Sequence, residues 1–423
     1  MYRISRRALV PISLAFALTA LGAMMWVGTH HPATSDVRTV TLGGVPQAIA
    51  LDATIRHAIV LDNGCGMGLP SGVSVIDMRT HAVLRTTRLG GCPWAVAVDT
   101  RGHRAFIGDP GLNAAGHVVD VIDTRSGALL QRINVGVAPT AIAVDGRTAR
   151  VFVALSSANS VVVLDGRTGT VLHRVHASTP RTLAIDERTA CVYVMTAHGV
   201  TTLDGGSGSV LHSFVTGAAR VYDPVIDAGT GTVLVTTQPV DRRGVPMGVA
   251  TVHVLAARSG RTLRALSIPL DTMPIATDAR AGRLVALTTQ HPTPSAMYSA
   301  PDSIGVFDLR SGRVVHMTLP SPDANVFAAA ADGTRGRVVV TGRRILTIID
   351  ARNGGTLRTL RTDSNNETVT IDPATGTAYV SGVRPPPTTV YDSRWFQWVP
   401  WRPAYHDVPP TGVVTIIDTG SLR

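Results

Sequence analysis

The 423-residue sequence contains no lysine and only three cysteines, and aromatic residues make up just 4% of it. Its net charge of +10 is therefore carried by arginine alone. Of these arginines, Arg3, Arg6 and Arg7 lie in the N-terminal flank, and others recur once per repeat at outer hairpins, so the basic residues form a scattered ring. No basic motif interleaved with aromatics appears, which argues against a nucleic-acid platform. The fourteen histidines are dispersed, His173 and His176 being close only on an outer strand, and no Cys/His pair has zinc spacing. No glycine-rich phosphate loop precedes a helix, because the chain has hardly any helical pattern. Neither a metal nor another cofactor is expected.

What the chain does contain is a repeat. The stretch Val161-Val-Val-Leu-Asp-Gly-Arg-Thr-Gly-Thr-Val-Leu172 recurs with small changes, its aspartate falling at Asp77, Asp123, Asp165, Asp204, Asp308, Asp350 and Asp418, with Ala256 in that slot once. A period of about 40 to 50 residues built only of strands is the signature of a β-propeller. Each unit opens with a short apolar strand ending in Asp, such as Ala95-Val-Ala-Val-Asp99 or Ala141-Ile-Ala-Val-Asp145. Apolar runs of this kind suit inner strands buried on both faces, with alternate alanines that let neighbouring blades approach. A second strand rich in β-branched and aromatic residues follows, as in Arg150-Val-Phe-Val-Ala154. The Asp-x-Arg-x-Gly segment then turns the third strand into the outer one, Asp bonding the backbone two residues on and Gly supplying positive φ. The turn arginines (Arg79, Arg125, Arg167, Arg258, Arg310, Arg352) are expected to pair with a nearby Asp.

The repeat count points to eight four-stranded blades, with seven as the alternative. The last unit ends soon after Asp418 without an outer strand, whereas Val37-Arg-Thr-Val-Thr-Leu42 reads as an outer strand with no unit of its own. Strand 37–42 is accordingly expected to join the last blade and close the ring, removing exposed edges.

Val151-Phe-Val-Ala-Leu-Ser-Ser-Ala-Asn-Ser-Val-Val-Val-Leu-Asp165 and Cys191-Val-Tyr-Val-Met195 resemble the YVTN-type β-propeller repeat family. The resemblance covers the chain beyond residue 36 and implies an exported or envelope propeller. Related propellers include lactonases, an antibiotic lyase and quinoprotein dehydrogenase subunits. None of their catalytic motifs matches here residue by residue, so no catalytic residue is assigned.

Residues 1–35 read as a targeting segment and linker, and 36–423 as a single propeller domain. The apolar run Ala8 to Val27 after Arg3, Arg6 and Arg7 is long enough to span a bilayer, and no small-x-small cleavage site follows it. A signal anchor is expected, with a cleaved signal peptide as the alternative, and either one exports the propeller. Cys65 and Cys92 fall in loops at one end of the first two blades, where a disulfide is possible outside the cytoplasm. Cys191 begins a buried strand and reads as a core residue.

Insertions concentrate between the second and third strands: Asn63 to Pro70, Asp109 to Gly116, Gln238 to Pro246 (with Arg242 and Arg243), Gln290 to Tyr298 and the long Arg384 to Pro410. Repeat insertions on one face mark a binding face. The last loop gathers Tyr391, Trp395, Phe396, Trp398, Trp401 and Tyr405. These rings form either a contact platform or the private core of a folded loop. On the same face, the position five residues before each inner-strand Asp gives Gln47, Trp94, Thr140, Arg181, Tyr222, Met273, Phe327 and Glu367. Together with Asp223 they ring the channel mouth. Arg181 either meets a ligand or pairs with Glu367 or Asp223. The sequence thus points to an exported, membrane-anchored, monomeric binding protein for a cell-envelope ligand or partner. The alternative is a channel-mouth enzyme of lactonase, lyase or quinoprotein oxidoreductase type.

Overall fold

A computed structural model describes residues 37–65, 69–110, 117–216, 219–222, 224–227, 230–241, 247–268, 272–278, 282–288, 303–318, 326–384 and 411–419, all within the unit Asp36–Arg423. The architecture is an all-β propeller of antiparallel sheets. The first sheet shows the plan: Pro46–Asp52, His57–Asp62, Gly72–Asp77 and Val83–Arg88 pair in chain order from the inner strand outward. The sheets beginning at Ala95–Asp99, Ala141–Asp145, Thr182–Asp186 and Thr272–Asp278 repeat it. In the fifth sheet the inner strand is split into Ala219–Val221 and Val225–Asp227, both paired with Thr232–Pro239. Pro224, which has no N–H to donate to a ladder, lies at the break.

Among the described residues hydrogen bonding divides the strands into seven sheets, which corrects the count of eight. The last two repeats share one six-stranded sheet, because Thr356–Ile371 runs unbroken from the outer position of one repeat to the inner position of the next. Other links between repeats carry breakers, such as Gly90, Gly91 and Pro93, or Gly136 and Pro139. Thr356 to Asp372 contains neither Gly nor Pro, so nothing ends the strand. The buried Asn366 ties the passage down, donating to the carbonyls of Gly342 (3.0 Å) and Ile345 (3.3 Å) and to Thr362 Oγ1 (2.8 Å). The N-terminal strand Val37–Leu42 therefore does not complete a separate eighth blade. It is the edge of this six-stranded sheet, antiparallel to Thr411–Asp418 with Val37 opposite Ile417.

The core lies between sheets. Ile59 and Leu61 of the first sheet pack with Ile107 and Ile122 of the second, and Phe106 packs with Val151 and Val153 of the third. Leu42, Val60, Ile76, Tyr379 and Val414 join the first sheet to the last. Second and third strands are almost wholly buried, but inner strands such as Ala95–Asp99 are only half-buried along their length. The expectation of burial on both faces fails because one face of an inner strand looks onto the centre of the propeller.

The Asp-x-Arg-x-Gly turns are built as their chemistry dictates. Asp165 Oδ1 accepts the backbone N–H groups of Arg167 (2.9 Å) and Thr168 (3.0 Å), and Gly169 has φ +75°. These bonds hold the carboxyl below the usual aspartate range, and at Asp308 the Ser311 backbone and hydroxyl bonds take it to about 2. The ion-pair partner is not the turn arginine. Asp165 pairs with Arg150 on the second strand at 2.9 Å, and Asp308 with Arg283 at the corresponding place. Among the described residues no helix is long and apolar enough to cross a membrane; the segment Ala8 to Val27 lies outside them.

Replacing Asp165 by Ala removes the one oxygen that accepts two turn N–H groups on an exposed hairpin. The expected loss of unfolding free energy is about 1 kcal/mol, read from urea denaturation, with the sheet content in circular dichroism unchanged.

Candidate functional site at the entrances of the inner strands

Inner strands run from the entrance positions to their terminal Asp, so one end of the sheets carries the entrances and the other the Asp-x-Arg-x-Gly hairpins. At the entrances the backbone takes two forms. Trp94, Thr140, Arg181 and Tyr222 extend the ladder by one bond: their N–H groups reach the carbonyls of Gly108 (2.9 Å), Ala154 (2.9 Å), Met195 (2.8 Å) and Thr236 (3.0 Å). Gln47, Phe327 and Glu367 instead sit on bulges, where the register skips from Pro46 to Ala48, from Val326 to Ala328 and from Asn366 to Thr368. A bulge leaves one residue unpaired and re-aims its side chain. Met273 lies within Thr272–Asp278 opposite Leu287.

Two of these side chains are committed to the fold. Thr140 Oγ1 donates toward the carbonyls of Ala154 and Pro180, both at 3.2 Å, and so bridges two sheets. Tyr222 donates its hydroxyl to Oε1 of the buried Gln238 at 2.7 Å, while the Arg220 guanidinium lies 5.7 Å from its ring centroid. Trp94, Phe327, Arg181 and Glu367 have no such bond among the described residues. Trp94 is 54% and Phe327 48% exposed, large apolar areas to leave in water, and Arg181 is also exposed. Glu367 is half-buried, and desolvation raises its carboxyl above the usual glutamate range. No cation among the described residues pairs with it, so the anticipated Arg181 to Glu367 bridge is not formed.

Asp223, Arg242, Arg243, Tyr391, Trp395, Trp398, Trp401 and Tyr405 lie outside the described residues. Cys65, in the loop after a second strand, and Cys92, in the link between the first two sheets, are disulfide-bonded with Cα atoms 5.5 Å apart. Cys191 is free and buried. Among the described residues no group of three His, Cys, Asp or Glu is placed to hold a metal ion.

Sequence reasoning missed two acids near this end. The second strands close on apolar Leu155 or neutral Thr196 in the third and fourth sheets, but on the buried Asp62 and Asp109 in the first and second. An acid at an otherwise uncharged strand position was the available signal. Asp109 accepts the N–H of Cys92 at 2.8 Å and so supports the disulfide link. Asp62 accepts only the Ser74 hydroxyl, at 2.6 Å, and its Oδ1 has no partner.

No family model matches the chain, and no curated protein matches it in sequence. The likeness is structural. BamB from Moraxella catarrhalis superposes with a TM-score of 0.61 at 13% identity, over 90% of this chain and 99% of that one. Dihydro-heme d1 dehydrogenase NirN in complex with DHE gives 0.56 at 16% identity, over 75% and 66% of the two chains. Kuenenia stuttgartiensis hydrazine synthase gives 0.53 at 17% identity, over 84% and 95%. At these identities the neighbours establish the β-propeller fold alone. Membership of the YVTN repeat family is not among the findings.

Two outcomes follow from this geometry. A raised carboxyl favours the native state least where it is ionised. The stability of Glu367→Gln relative to wild type should therefore increase as pH rises from about 4 through the raised value and then level off, which paired thermal melts across pH 4 to 8 will read. Reducing the Cys65 to Cys92 bond, which closes a separation of 27 residues, should lower the unfolding free energy by about 3 kcal/mol, measured by denaturation with and without reductant.

Proposed function

We propose that the protein is an exported binding protein, held at the membrane by its N-terminal segment, that recognises a cell-envelope ligand or partner through the end of the propeller where the inner strands begin. The observation that carries this reading is the set of exposed, chemically diverse side chains at equivalent entrances. Trp94 and Phe327 offer large rigid apolar surfaces, and the exposed Arg181 with the half-buried Gln47 and Glu367 adds polar groups at the equivalent positions of other repeats. Asp-x-Arg-x-Gly hairpins at the opposite end repeat one chemistry with little variation, as turns require. The disulfide supports export, since such bonds persist in oxidising compartments. The aromatic loop from Tyr391 to Tyr405, which follows a second strand, adds to the same face in this reading.

Site-specific photo-crosslinking in cells tests the assignment. A photoreactive residue at position 94 or 327 should give discrete adducts, whereas the same residue at Arg125 or Arg310, on hairpins at the other end, should give none. Equal labelling from both ends, or from neither, would remove the basis for this face as the binding surface.

A further inference from the structure

The first sheet carries a second feature that the entrance residues do not use and that stands independently of the binding role just proposed. A cavity of about 360 Å³ is lined by Gly43, Gly44, Asp62, Pro70, Ser71, Gly72, Thr86 and Arg88. Its size falls at the lower end of the range of small-molecule pockets. Glycine lets its wall pack closely: a Cβ on Gly44 would stand 2.7 Å from Asp62 Cβ and 2.8 Å from the Pro70 carbonyl oxygen. On one wall sits Asp62, only 2% exposed, with Oδ1 unpartnered. Ser74 donates to its other oxygen and so receives the Thr86 hydroxyl proton in turn, at 2.9 Å. On the opposite chemical side is Arg88, an exposed guanidinium without a described hydrogen-bond or ion-pair partner. Among the described residues Arg88 is the only other charged one that lines the cavity.

A buried carboxylate oxygen lacking a donor is costly to keep, and the same strand position in the next sheet shows the ordinary remedy, the Cys92 N–H given to Asp109. At Asp62 the fold supplies none. The missing partner is a donor, and the free guanidinium beside the same cavity asks for an anion, bound through two parallel N–H groups. We propose that this cavity is a binding site for a free α-amino acid, its ammonium group donating to Asp62 and its carboxylate received by Arg88.

Burial also pushes the Asp62 carboxyl up to about 6, against the lowering effect of the Ser74 bond. An ammonium ligand needs the ionised form, so affinity should fall by about tenfold per pH unit below that value. The experiment is isothermal titration of the full-length protein with each of the twenty standard L-amino acids at pH 7.5, with trimethylglycine, propionate and ethylammonium as controls. At least one amino acid should bind, with affinity reduced tenfold or more by Asp62→Asn and by Arg88→Gln and reduced again at pH 5. Arg88→Gln, at an exposed position, keeps the test open if the Asp62 variant fails to fold. The proposal is overturned if no amino acid binds up to 10 mM, if trimethylglycine or propionate binds as well as the best amino acid, if ethylammonium alone reproduces the heat, or if neither substitution weakens binding.

Discussion

Every sheet in this protein depends on the face of its neighbour. The second and third strands are apolar on both sides, so an isolated sheet would expose Phe106, Phe152, Tyr193 or Phe307 to water, and each of these rings is instead enclosed by residues of the adjoining sheet. Burial of such side chains contributes on the order of 2 to 3 kcal/mol each. The stabilisation is shared across interfaces, as in other repeat architectures. The six-stranded sheet obeys the same rule internally: Val339, Leu346 and Ile348 of one repeat pack against Ala378, Val380 and Ile417 of the next. Continuous hydrogen bonding and repeat-on-repeat packing coexist there.

That dependence assigns different freedoms to the two ends of the strands. The third-to-outer hairpins must turn sharply, and they use the same carboxylate-to-backbone bonds at Asp77, Asp123, Asp165, Asp204 and Asp308. Some inner-to-second turns even hold non-glycine residues at positive φ, Arg56, His103, Ala149 and Ala190 among them. The entrances of the inner strands are not constrained in this way. There the ladder either gains one bond or skips a residue, and the side chain at that point can be tryptophan, arginine or glutamate without disturbing the interfaces below it.

The strands, their order and the turn aspartates were legible in the sequence because each rests on a local rule, apolar periodicity or Asx-turn chemistry, repeated many times. The number of sheets was not. It depended on Thr356 to Asp372 lacking the glycine and proline that end strands elsewhere, an absence that counting repeats passes over. The entrance positions could be located by spacing, but the bulges at Gln47, Phe327 and Glu367 are set by how two strands register against each other, which no single segment encodes. Likewise Thr140 and Tyr222 looked like free groups and are satisfied by the fold, since their acceptors, the Pro180 carbonyl and the Gln238 side chain, lie outside the segments that contain them.

Buried acids show where such long-range satisfaction is complete. Asp52 receives Thr54 at 2.6 Å and Thr124 at 2.7 Å and meets His103 at 3.0 Å, linking two sheets. Asp120 is held by Arg132 through two bonds of 2.7 and 3.0 Å. In each case the cost of burying a carboxylate is offset by donors that the neighbouring strand brings within reach, and the acid thereby fixes the spacing of the elements around it. Asp62 has the burial without the donors. Its single Ser74 bond leaves one oxygen unmatched beside a cavity that Gly44 also lines, in contrast to the fully engaged Asp52 and Asp120. At the same strand position in the adjacent sheet Asp109 receives the backbone N–H of Cys92, whereas Asp62 is bonded through one oxygen only and its Oδ1 is left without a donor.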